Sequence, residues 1–142
     1  MIHRIIHNGK ILAIIIPRDF LKPGIEFFTP DNFSQQLAYM NRPEGYKIEP
    51  HVHTPLPREI TYTQEVLFIK SGKVRVDFYD DEKKYLRSRI LKKGDVILLA
   101  HGGHGFEMLE PTEMIEVKQG PYAGDGEKTR FPPIDPDKLN FE

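Results

Sequence analysis

Short apolar runs, some alternating with polar residues and some unbroken, follow one another along the whole chain, cut apart by Gly, Pro and Asn. No stretch repeats its apolar positions at the helical period for long enough to predict an amphipathic helix. Arg4–His7 and Lys10–Ile16 flank Asn8-Gly9, a pair that accepts the positive φ angles of a type I′ hairpin turn. The second of these runs is apolar almost throughout and predicts a strand buried on both faces. Pro23-Gly24 turns the chain into the short piece Ile25–Phe28. Thr29 and Pro30 then predict one helical turn, with Thr29 accepting from free N–H groups and Pro30 at the first helical position. Gln36–Asn41 predicts a strand with Leu37 and Tyr39 on one face and Ala38 and Met40 on the other.

Gly45–His53 reads GYKIEPHVH, and a strand there would place His51 and His53 on one face, about 6–7 Å apart. The next stretch, with Pro55 and Pro57, predicts a loop or an edge segment, since proline lacks a ladder donor. Strands are then expected at Glu65–Lys70, Lys73–Tyr79, Tyr85–Leu91, Val96–Leu99, Gly105–Leu109 and Met114–Lys118. From Gly120 onward periodicity is lost, which predicts an arm packed over the body or reaching a partner subunit. The sum is an all-β sandwich or barrel.

With 142 residues the chain is expected to form a single domain. Its core spans about 36–119, with N-terminal strands in 1–35 and the arm in 120–142. The 20 basic and 21 acidic residues form no basic stripe, so nucleic acid is not an expected partner. With no cysteine, neither disulfides nor thiolate ligands are available. The run Ile11–Ile16 is too short for a bilayer, and Pro17-Arg18-Asp19 follows it in place of a small-residue cleavage site. Those features predict no membrane association and a cytoplasmic location.

Candidate chemistry centres on histidine. Two imidazoles on one strand face begin a metal site, and Glu65 and His104 are available to complete it. Three imidazoles and one carboxylate suit Fe, Mn, Ni, Co, Cu or Zn better than Ca or Mg. Such a set leaves positions open for water or substrate. Tyr39, Arg58, Tyr62 and Gln64 lie near the motif strands as candidate pocket residues, Arg58 as a clamp for an anion.

Gly45, five further residues, His51-Val52-His53, and later Glu65 followed after six residues by Gly72, resemble the first motif of the cupins. Gly94-Asp95, the apolar strand after it, and His104 resemble the second. The resemblance covers about residues 45–106 and implies a small single-domain cupin: a double-stranded β-helix barrel of jelly-roll type, with an N-terminal hairpin and a C-terminal arm. It implies metal ligands His51, His53, Glu65 and His104 facing the interior, and a homodimer. Two departures leave alternatives open. Eleven residues separate His53 from Glu65, more than the family's usual three or four, so Glu59 is the rival carboxylate. In AHGGHGF, Ala100 replaces a proline and His101 rivals His104, either as ligand or as a group facing substrate.

The expected function is a metal-binding cupin enzyme acting on a small polar metabolite, as an oxygenase or as an isomerase or lyase. Two alternatives stand beside it: a non-catalytic small-molecule binding or sensing cupin, and a metal-free enzyme resembling the sugar-nucleotide epimerases.

Overall fold

The computed structural model describes residues 1–142, and it is all-β. Ten strands form three antiparallel sheets: β1 (His3–His7), β2 (Lys10–Ile16), β3 (Gly24–Phe27), β4 (Ala38–Asn41), β5 (Glu65–Ser71), β6 (Lys73–Tyr79), β7 (Tyr85–Lys92), β8 (Val96–Leu99), β9 (Gly103–Met108) and β10 (Glu113–Lys118). Five of them make a sheet in the order β1-β2-β8-β5-β10 and three make another in the order β7-β6-β9, while β3 and β4 pair alone. No helix is long and apolar enough to cross a membrane.

The hairpin at Asn8-Gly9 forms as the dipeptide predicts, with both residues at positive φ (50° and 75°). Strand β2 is buried along most of its length because both faces of its sheet are covered. On one face Ala13 and Ile15 join Leu67, Ile69, Ile97 and Leu99 against Val74, Val76 and Phe78 of β6 and Leu91 of β7. That is the main core, and it lies between the two larger sheets. On the other face Ile14 and Ile16 pack with Phe28, Phe20, Leu37 and Tyr39. The Phe20 ring meets those of Phe28 and Tyr39 edge-on, with centroids 5.5 and 4.8 Å apart.

Of the sandwich or barrel expected from the sequence, the sheets do not close into a barrel: β9 and β10, consecutive in the chain, end their sheets with unpaired outer edges. The strand expected in Gly45–His53 is also absent. Between β4 and β5 the chain forms no regular element, every residue from Arg42 to Thr63 is exposed, and residues 47–63 make no backbone–backbone hydrogen bond. An alternating pattern makes a strand only when a neighbouring edge takes its backbone groups, and none does so here.

The helical turn expected at Thr29 is replaced by a loop. The Thr29 hydroxyl accepts from Leu37 N–H (3.2 Å) and donates to Gln36 Oε1 (2.7 Å), tying the loop across to the start of β4 in place of capping a helix.

The chain after Gly120 contains two short 3-10 turns, Gly124–Glu127 and Pro136–Lys138, and its last part lies along β7. Asn140 is the main anchor: its carbonyl accepts from Ser88 N–H (2.6 Å), its N–H donates to the Tyr85 hydroxyl (2.8 Å), and its side-chain amide donates to Leu86 O (3.1 Å). Beneath it, Arg75 and Asp77 form a buried bidentate pair (2.8 and 3.0 Å), and Ser88 Oγ donates to Asp77 at 2.5 Å.

Candidate functional site

Alternation along β5 places Glu65 on the same face as Leu67 and Ile69, so its carboxyl points between the two sheets. Along β9, His104 shares a face with Phe106, which packs on that core from the other sheet. The two side chains meet at the open flank, His104 Nε2 lying 2.8 Å from Glu65 Oε1. Glu65 is 12% exposed and His104 32%, so the pair is sheltered but reachable.

Two glycines place His104. Gly102 has φ +75°, and a Cβ there would collide with the Tyr79 carbonyl oxygen. A Cβ on Gly103 would stand 2.9 Å from the Phe131 ring. The compressed AHGGHGF turn is therefore a close crossing over β6 that only glycine allows, and it delivers His104 to the flank.

Three charged groups surround the pair. Glu116 and Lys118 share the inward face of β10 with Met114, and Lys118 stands directly opposite Glu65 in the strand register. Lys118 Nζ lies 3.2 Å from Glu127 of the first 3-10 turn, which brings the arm to the rim of the site. The hydrogen bond from His104 pulls the Glu65 carboxyl down to about 2, helped by Glu116 and Lys118 and opposed by burial. Glu116 is raised, chiefly because it shares a hydrogen bond with Glu65 and also by burial. The hydrogen bond to Glu127 raises Lys118. One carboxylate is thus held charged while its neighbour is pushed toward the protonated form. Glu116, Lys118 and Glu127 were not singled out in the sequence; the signal was the charged pair continuing the inward face that Met114 begins.

The remaining sequence candidates divide between two places. His51 and His53 lie on the exposed segment, their rings 5.3 Å apart, with His51 Nδ1 at 2.9 Å from Glu49 O. They do not join Glu65 and His104, and no three His, Asp or Glu side chains stand together as a metal-holding set.

The rival residues Glu59 and His101 sit with each other instead. Together with Tyr62 and Gln64 they line a separate cleft of about 270 Å³, which also includes Phe33 and Ser34. There the His101 ring is held edge-on between Phe33 (5.8 Å) and Tyr62 (5.4 Å). Gln64 is buried and its Oε1 accepts from Gln35 N–H (3.0 Å). Arg58 is exposed, and Tyr39 belongs to the packing around Phe20, across the five-stranded sheet from Glu65.

Comparison with family models, with curated proteins and with solved structures gave no match for this chain.

Proposed function

We propose that the chain is a metal-binding cupin whose working site is the open flank between β5 and β9, acting on a small polar molecule. Glu65 and His104 are two ligands of a divalent transition metal, and His51 and His53 supply the others. The observation that carries this reading is the 2.8 Å approach of Glu65 Oε1 and His104 Nε2 between the sheets. Bonds of about 2.1 Å at right angles put neighbouring donor atoms about 3 Å apart, so these two atoms already have the spacing of adjacent ligands.

Glu65 is held in the charged form that a carboxylate ligand needs, and His104 would give up its Nε2 proton when the ion takes the place of their hydrogen bond. Bound there, the ion would supply Lewis-acid polarisation of a substrate oxygen, or oxygen activation if it is iron. The chain's own residues do the rest. His104 and Glu65 orient the site, Lys118 offers a cation to a substrate carboxylate or hydroxyl, and Glu116 sits beside Glu65 as a group able to hold a proton.

The test is elemental analysis of untagged protein. Close to one transition-metal ion per chain is expected in the wild type, with loss in Glu65→Gln and His104→Ala. Wild-type protein that carries no metal, and whose melting temperature does not respond to added metals, would sink the reading.

A second reading is non-catalytic binding of a small molecule on the same fold, and the cleft at His101 favours it. That cleft combines aromatic edges with polar groups, a lining common to small-molecule sites. Thermal-shift screening of small acids and sugars separates the two readings. A ligand that binds equally well to wild type and His104→Ala, and less well to His101→Ala, assigns binding to the cleft.

A further inference from the structure

The segment between β4 and β5 carries a strand pattern with no sheet to belong to. From Tyr46 to His53 the parity is strict: Tyr46, Ile48, Pro50 and Val52 on one side, Lys47, Glu49, His51 and His53 on the other. Tyr46, Ile48 and Val52 are 51, 58 and 92% exposed, and residues 47–63 make no backbone–backbone hydrogen bond. Elsewhere in the same chain β9 has an unpaired edge six residues long. The sheet it ends has three strands, against five in the sheet it faces. The Glu65–His104 pair lies between the sheets at that flank. Nearby, on the outer face of β5 and β10, the directly paired Phe68 and Ile115 are both exposed, as is Val117.

We infer that residues 46–53 are the missing strand and that a second copy of this chain supplies the edge: the segment of one subunit adds to β9 of its partner and carries His51 and His53 to that partner's Glu65 and His104. The occupant is argued from the molecule itself. The single chain holds both a free edge and a free strand and leaves them apart. The segment is anchored at both ends and spans 42–63, so its middle reaches up to roughly 36 Å from the body, farther than the radius of a domain this size.

The other segments available for exchange are already engaged. The N-terminal hairpin is built into the five-stranded sheet through β2 and β8, and the C-terminal arm is bonded along β7. In the added strand the polar parity faces inward, so both imidazoles enter the flank together. Main-chain hydrogen bonds would hold it, as in other strand-addition complexes. Two equivalent exchanges close a symmetric pair.

The metal half of this inference rests on the function proposed above, and the exchange half does not, so the experiment has two arms. In the first, sedimentation and amide hydrogen exchange are followed across protein concentration. The expected result is a dimer at micromolar concentration in which the amides of one parity of residues 47–53 are protected, since an outermost strand bonds to its single neighbour through every second N–H, the protection disappearing as the protein is diluted to monomer. A monomer, or a dimer whose 47–53 amides exchange freely, would overturn the exchange.

In the second arm His51→Ala/His53→Ala chains are co-expressed with Glu65→Gln/His104→Ala chains. Each variant alone should bind no metal. Random pairing should restore about one quarter of the wild-type content per chain, because half the dimers hold one intact site of two. No recovery in a metal-binding wild type would overturn delivery between subunits. A protected dimer without metal would keep the exchange and remove the metal reading.

Discussion

Glu65 on β5 and His104 on β9, 2.8 Å apart, are the one acid–base side-chain contact between a strand of the five-stranded sheet and a strand of the three-stranded sheet, whereas Lys10–Asp81 and His7–Asp80 reach only the β6–β7 turn. The pair therefore couples the charge at the open flank to the packing of the sandwich.

The first prediction concerns acid stability. Glu65 has a folded pKa of about 2 against an ordinary 4.5, so it binds its proton more readily in the unfolded chain. Its contribution is fully present above about pH 4.5 and is lost as the pH falls toward 2. After discounting for solvent around the imidazole, the contribution is about 1–2 kcal/mol. Urea titrations at pH 7, 4 and 3 should show Glu65→Gln less stable than wild type at pH 7, with the gap narrowing on acidification. A gap independent of pH would contradict the assignment.

Gly102→Ala should destabilise the fold by about 2–3 kcal/mol, since it adds a side chain at positive φ against the Tyr79 carbonyl. It should also move His104, visible as changed imidazole chemical shifts by NMR. A neutral substitution would mean the turn relaxes freely.

Asp77→Ala removes the bidentate partner of the buried Arg75 guanidinium, leaves it only the half-exposed Glu107 (2.6 Å), and should cost about 2–3 kcal/mol. Tyr85→Phe removes only the hydroxyl that meets Ser88 (2.7 Å) and Asn140, and should cost about 1 kcal/mol. The milder variant should also make the last residues more susceptible to carboxypeptidase. Chemical denaturation and timed digestion read the two effects separately.

His101→Ala should leave metal content unchanged while weakening any ligand that occupies the cleft between Phe33 and Tyr62. Parallel elemental analysis and thermal-shift measurement check this. Loss of metal in His101→Ala would move the ligand role from the second histidine of AHGGHGF to the first.

Most strands were legible because their signals are local. Lys73–Tyr79 alternates cleanly and forms β6 with Val74, Val76 and Phe78 inward, and Asn8-Gly9 specifies its own turn. Thr29 misled because a threonine before proline can cap a helix or bridge a loop, and the choice was made by Leu37 and Gln36 farther along. Tyr46–His53 misled for a related reason. Its parity reports what the segment can pair with, whereas its state in one chain depends on whether an edge is supplied. In the site, Glu65 was singled out by its spacing to Gly72 at the head of an apolar strand, and His104 by its place before Gly105-Phe106. Glu116 was not, because its proximity to Glu65 comes from the register of β10 on β5.

The arm along β7 has one further consequence. By occupying Ser88 N–H and Leu86 O with Asn140, it blocks the edge of the three-stranded sheet opposite β9. That sheet is a template with one usable side. A neighbour can therefore extend it only beyond β9, and the sheet cannot serve as a link that is lengthened from both sides at once.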